Sequence, residues 1–212
     1  MKDIPMFTTE NGVASLFLQD IPYRGIGRIK VLSSQCPEEL LQECAEFCRA
    51  CGAEEIHASG DAILAKYPHV ADILEMRGSA DGIGKTDAML FPVQEETAER
   101  WRTMANEKLQ KVDNAAYISS KDAKKAAQEG TSYFVHRNGQ LLGIGQVGED
   151  SVELVASVAP GGGKEIVAAL SQLLPQEDIR LQVASTNHKA IKLYENLGFV
   201  VVKTVSSWYK IF

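Results

Sequence analysis

The sequence contains no apolar run of the roughly 18 to 20 residues needed to span a bilayer as a helix. Met1 to Glu10 also lacks the basic start and apolar stretch of a secretory leader, so a cytoplasmic location is expected. Basic residues are not in excess: 22 Lys and Arg against 28 Asp and Glu give a formal net charge of -6. Nucleic acid and anionic membranes both need clustered cations to displace counterions, and neither partner is expected. Cysteine is absent outside one short stretch holding Cys36, Cys44, Cys48 and Cys51. A zinc site normally presents two turn-borne Cys or His pairs. Cys48-Arg-Ala-Cys51 has no second pair at a matching spacing, so no metal is expected. A disulfide framework does not suit a reducing compartment. Leu40, Leu41, Cys44, Phe47, Cys48 and Cys51 recur at helical spacing, which makes these thiols small hydrophobes on a buried stripe.

Over 212 residues, 45% hydrophobic and 24% charged residues suffice for a packed core. The chain opens as a β-meander: Met6 to Thr9, the hairpin signal Asn11-Gly12, Val13 to Leu18, and Ile26 to Leu32. An amphipathic helix spans Pro37 to Cys51, with Pro in its first turn and Gly52 at its end. A short strand follows at Glu55 to Ala58, then a helical pattern from Ile63 to Met76 that Pro68 bends or splits, then a strand from Ala88 to Val93.

The order of elements then restarts. Glu95 to Val112 is a charged helix with Trp101, Met104 and Leu109 inward, and Ser120 to Gln128 is a second, opened by a polar residue and closed by Gly130. Tyr133 to His136, the turn Asn138-Gly139, Leu141 to Val147 and Val152 to Val158 form another meander. A helix at Lys164 to Leu174, a strand at Ile179 to Ala184, a helix at Asn187 to Leu197 and terminal strands from Phe199 to Phe212 complete the chain. Asn11 to Val31 is the same separation as Asn138 to Val158. Leu74-Glu75-Met76-Arg77-Gly78 also parallels Tyr194-Glu195-Asn196-Leu197-Gly198, each read as a helix closed by Gly before a strand. These correspondences suggest an internal duplication, with two unrelated α/β pieces as the alternative. Either way the domains expected are 1–93 and 94–212.

The most specific stretch runs from Ile179 to Phe199, where a strand enters a helix carrying Asn187-x-x-Ala190-x-x-Leu193-Tyr194-Glu195-x-x-Gly198-Phe199. It resembles the second conserved motif of the GCN5-related N-acetyltransferase superfamily. The resemblance covers residues 131–212 in element order, and residues 95–130 more loosely as the family's two amino-terminal helices. It implies an α/β (α+β) fold, a mixed and mostly antiparallel sheet flanked by helices, with the first half as a degenerate second unit. It also implies acetyl-CoA as co-substrate and Tyr194 as general acid, returning a proton to the departing thiolate. Asn187 caps the helix or turns to a ligand amide. The alternative for Tyr194 is a core residue with its hydroxyl at the rim.

A second stretch, Val152 to Leu170, contains a strand, the turn Pro160-Gly161-Gly162-Gly163 and a helix start. Unpaired amides at the positive end of a helix dipole suit a pyrophosphate. In placement this resembles the family's main acetyl-CoA motif, which implies Ser157, Val158, Gly161, Gly162, Gly163, Lys164, Glu165, Ile166 and Asn187 as cofactor-binding residues. The family pattern is Arg or Gln, two residues, Gly, one residue, then Gly or Ala, and this chain departs from it. Matching Gly163-Lys164 to the family's Gly-Lys step puts Gly162 in the Arg or Gln place, Glu165 in the first Gly place and Val167 in the second. The register using Gly161 and Gly163 leaves Val158 where the basic or amide residue belongs. Glu165 brings a negative charge toward a phosphate, with Lys164 to offset it.

For a general base, Glu153 matches a position where several family members hold a carboxylate, the alternative being an outward-facing strand residue. His136 and His188 are weaker candidates on ordinary surface sites. The first half lacks this chemistry: Leu74 takes the place of Tyr194, and Ser33 to Pro37 form no glycine turn. Gly82-Ile-Gly84-Lys85-Thr86 imitates a phosphate-binding loop, but helix precedes it and strand follows, the reverse of what that loop needs. The function expected is acetyl transfer from acetyl-CoA to a small-molecule or peptide amine. The alternatives are a catalytically weak or inactive acyl-CoA-binding or interaction module on the same fold, and an enzyme using a longer acyl donor. A homodimer is left open as a partner.

Overall fold

The computed structural model describes residues 5–113, 115–175 and 178–212. In chain order the elements begin with β1 (Met6–Thr9), β2 (Gly12–Phe17), α1 (Ile21–Arg24), β3 (Ile26–Ser34), α2 (Pro37–Ala50) and β4 (Glu55–Ser59). A 3-10 turn at Ala62–Lys66 leads into β5 (His69–Ser79), followed by α3 (Ala80–Ile83) and β6 (Met89–Pro92). Then come α4 (Ala98–Leu109), α5 (Ser120–Gln128), β7 (Ser132–Arg137), β8 (Gln140–Val147) and β9 (Ser151–Ser157). The chain ends with α6 (Gly163–Ser171), β10 (Asp178–Ala184), α7 (His188–Asn196) and β11 (Val200–Lys210). One compact unit comprises Met1–Asp72 with Val205–Phe212, the other Ile73–Thr204, so β5 and β11 each contribute to both.

In the first unit β1, β2 and β3 form the expected antiparallel meander, with a bulge at Val13/Ala14, and β3 then pairs in parallel with β4. Helix α2 starts with Pro at its first turn and acidic Glu38 and Glu39 at the positive end of its dipole. It lays Leu40, Leu41, Cys44 and Cys48 against Ile29, Val31, Ile56 and Ala58. The apolar stripe turns out narrower than its spacing suggests: Phe47 and Cys51 lie outside, and Ala45 faces the core. Burial pushes the Cys44 thiol up to about 12 and the Cys48 thiol up to about 11, as expected for inert core cysteines. The last residues of β11 complete this sheet, with Tyr209 opposite Ala58 and Lys210 opposite His57, antiparallel.

In the second unit β6, β7, β8 and β9 run antiparallel in sequence, and β9 meets β10 in parallel. β10 pairs antiparallel with β5, from Asp178 opposite Ser79 to Ala184 opposite Ile73. Two cores result. One face gathers Val152, Ile166, Leu170, Leu181 and Tyr194 beneath α6 and α7. The other gathers Trp101, Phe134, Ile144, Leu154 and Ala156 beneath α4 and α5.

The helix expected over Ile63–Met76 is the main correction. Only Ala62–Lys66 turns, opened by the Asp61 side chain accepting from the Ile63 amide, and the remainder is β5. Leu74 therefore does not take the place of Tyr194 but sits on a strand opposite Val183. Gly78 is not a helix stop either. A Cβ there would stand 2.8 Å from the Phe199 ring, so glycine lets that ring lie flat on the strand.

Candidate active site

The site begins with a slip in strand alternation. Val152 packs into the α6/α7 core and Leu154 into the α4/α5 core, although two residues apart on one strand they should share a face. The register accounts for this: Gln146 faces Leu154 but Val147 faces Val152, so Glu153 is the extra residue of a β-bulge. Past the bulge the strands part. Among the described residues β9 and β10 share two paired positions, Arg180 with Ser151 and Leu181 with Val152, although β9 continues to Ser157 and β10 to Ala184.

The backbone at this opening has polar groups to spare. The Val158 amide donates to the Leu142 carbonyl. By antiparallel alternation, Ala156 and Leu154 also direct their polar groups at β8, which leaves those of Val155 and Ser157 facing the edge that β10 has left. The equivalent place in the first unit is shut. There β3 and β4 pair continuously from Ile26 opposite Glu55 to Lys30 opposite Ser59. The Gln35 and Cys36 amides that follow are spent on the Asn11 carbonyl.

Beyond Ser157 the chain turns into α6. The Ser157 hydroxyl donates to the Ala159 carbonyl at 2.6 Å, and the Gly162 amide to the same oxygen, closing a tight turn. Gly161 has φ of 75°, a left-handed conformation that glycine adopts without penalty. The Ile166 amide donates to Gly162 as the first intrahelical bond. No side chain caps this helix. The amides of Gly161, Gly163, Lys164 and Glu165 have no partner among the described residues, and they converge on one end of the helix dipole. The sequence assigned Val158 and Ile166 to the ligand as well, but both of those amides are already engaged within the fold.

Glu165, whose charge opposes an anion, is occupied. Its Oε1 accepts from Arg137 Nη1 at 2.9 Å, and Arg137 Nε lies 3.1 Å from Asp87. Arg137 ends β7 just before the Asn138-Gly139 turn, and no sequence motif flagged it. Lys164 is exposed beside the unpaired amides.

Tyr194 is buried in the α6/α7 core with its ring 5.9 Å from that of Phe199. Burial pushes its phenol up to about 12, so it holds its proton throughout the neutral range. Its hydroxyl does not join the sealed polar atoms that lack a partner. Asn187 is a cap, its side-chain oxygen accepting from the Ala190 amide at 3.3 Å. Glu153 is exposed, with its carboxylate over Gly148 in the β8–β9 hairpin. His188 is exposed, and His136 packs its ring edge-on to Phe91. Among the described residues no group of three or more His, Cys, Asp or Glu is arranged to hold a metal ion. Among the same residues no helix is long and apolar enough to cross a membrane.

No protein-family model matches the sequence, and no curated protein matches it. Solved structures do match the fold. A GCN5-related N-acetyltransferase from Sphaerobacter thermophilus superposes with a TM-score of 0.62 at 13% identity, over 93% of this chain and 75% of its own. A tandem GNAT protein from the clavulanic acid biosynthesis pathway superposes with a TM-score of 0.52 at 12% identity, over 94% and 78%. A conserved protein of unknown function from Staphylococcus epidermidis does so with a TM-score of 0.59 at 13% identity, over 99% and 94%. The chain therefore has the fold of GCN5-related N-acetyltransferases, a mixed and mostly antiparallel sheet flanked by helices.

Proposed function

We propose that this protein is an N-acyltransferase that moves an acetyl group from acetyl-CoA to an amine, with its single site in the second unit. The reading rests on one observation above the others: β9 and β10 separate beyond Val152 and Leu181 instead of pairing to their ends. That opening presents the backbone of Val155 and Ser157 to an extended polar arm, and it leads to the four unpartnered amides at the start of α6. Acetyl-CoA would supply an activated thioester at one end and a diphosphate at the other. The amides of Gly161, Gly163, Lys164 and Glu165 would hold the diphosphate, and Lys164 would add a positive charge. Asn187 contributes by fixing the first turn of α7, which carries Tyr194.

Within the reaction, the thioester carbon gains a bond to the amine nitrogen and loses its bond to sulfur. Tyr194, protonated at rest, donates its phenolic proton to the sulfur as that bond breaks, and the proton that the new amide nitrogen sheds restores the phenol through solvent. Glu153 sits at the bulge where the strands part, exposed and able to take the ammonium proton through water. The protein would act in the cytoplasm on a small-molecule or peptide amine. A second reading, acyl-CoA binding without transfer, draws support from Glu165 in the place of a glycine.

Thermal unfolding in the presence of acetyl-CoA tests the binding step. A ligand bound only to the folded state at about 100 times its Kd adds about 2.7 kcal/mol, a readily measured rise in Tm. No rise at millimolar acetyl-CoA would overturn the assignment. A rise without acetyl transfer to any of a panel of amines would favour the second reading.

A further inference from the structure

We propose that Arg137 is a positioning residue for the diphosphate of the cofactor, acting by holding Glu165 away from the amides that the diphosphate needs. The inference rests on the proposed function and goes beyond it, because Arg137 lies outside the sequence pattern that suggested a site. Glu165 is the third residue of α6 and carries a carboxylate where three amides of the first turn lie unpaired. A carboxylate is favoured at that end of a helix dipole and is a natural cap for those amides. Left alone it would be the anion that fills the site, and it would repel any other.

The structure shows it turned elsewhere. Its Oε1 accepts from Arg137 at 2.9 Å, and its Oε2 is sealed from solvent without a hydrogen-bond partner. Arg137 is anchored in turn by Asp87 at 3.1 Å, and it stands at the end of β7 where the tight Asn138-Gly139 turn fixes its backbone. One arginine, shared with Asp87, thus draws the Glu165 carboxylate away and keeps the amides open. Lys164, exposed on the same turn, cannot hold Glu165 in this way, because the carboxylate points to the hairpin.

The test is a double-mutant cycle read by calorimetric binding, with circular dichroism to confirm that each variant is folded. The ligands are acetyl-CoA and S-acetylpantetheine, which keeps the thioester arm and lacks the diphosphate. Arg137→Ala should weaken acetyl-CoA binding by roughly tenfold, the scale of losing one charge-assisted contact, and leave S-acetylpantetheine within about twofold. Adding Glu165→Gln to Arg137→Ala should bring acetyl-CoA affinity back to within about threefold of the parent protein, since the repelling charge is then gone. An unchanged affinity in Arg137→Ala would overturn the proposal. So would equal losses for both ligands, which mark a general distortion, or a double variant as weak as Arg137→Ala, which marks a role independent of Glu165. If the parent protein binds neither ligand, the acyltransferase reading itself fails and this proposal falls with it. Binding by the parent without coupling sinks the proposal alone.

Discussion

In the proposed reaction Tyr194 supplies the proton that the departing sulfur needs. Its ring is held by the α6/α7 core, with 8% of the residue exposed. Removing its hydroxyl takes away the proposed proton donor and little of the packing. Tyr194→Phe should therefore lower the turnover rate by roughly a hundredfold, with acetyl-CoA affinity nearly unchanged. Equal turnover in the two proteins would exclude the phenol from the reaction. The same residue carries a pH signature. Burial raises the folded pKa to about 12, above the ordinary tyrosine value of about 10. The unfolded chain then gives up its proton first as pH rises. Stability from this source is complete below about pH 10 and is lost on the way to 12. Urea titrations should show Tyr194→Phe gaining on the parent protein as pH passes 10. Tyr194 was legible because it belongs to a local sequence pattern. Arg137 was not, since its importance comes from a carboxylate 28 residues away that a hairpin brings within reach.

Among the elements, the meander of β7, β8 and β9 sets the geometry of the opening, and close backbone approach is part of its design. A Cβ at Gly143 would lie 2.2 Å from the Ala156 carbonyl oxygen and 2.7 Å from Ile166 Cδ1. Gly143→Ala should therefore push β8 from β9 and destabilise the protein by about 1 to 3 kcal/mol, measured by chemical denaturation. An unaltered midpoint would show that the strands have slack that the packing does not suggest. Most elements were readable from periodicity and turn residues, and α5 falls on the expected Ser120–Gln128. β5 was not. Its apolar residues Val70, Ile73, Leu74 and Met76 fall near helical spacing. Its buried positions, Ala71, Glu75, Met76 and Gly78, do not alternate either. A strand paired with β10, about a hundred residues later in the chain, takes its conformation from that partner and not from local preference. Nor did the sequence disclose the bulge at Glu153 or the parting of β9 from β10, because both are properties of pairing register.

At the scale of the molecule, the two units do not coincide with the two halves of the sequence. The first unit uses the end of β11 as its last strand, and the second uses β5. The second unit thus takes β5 and β6 from the first half, and the first unit takes the end of β11 from the second. Deleting Val205–Phe212 should then unsettle the amino-terminal unit and spare the carboxyl-terminal one. Hydrogen exchange in the truncated protein should show protection lost across β3 and β4 and kept across β8 and β9. Persistent protection of β4 would show that β11 is dispensable there.

Synthesis on the ribosome runs from the amino terminus, and a nascent chain folds what it has received. Here Lys210 binds Glu55 across 155 residues. The first unit therefore waits, with one strand position vacant, until β11 has been made. During that interval β4 offers an unpaired edge to any neighbouring chain.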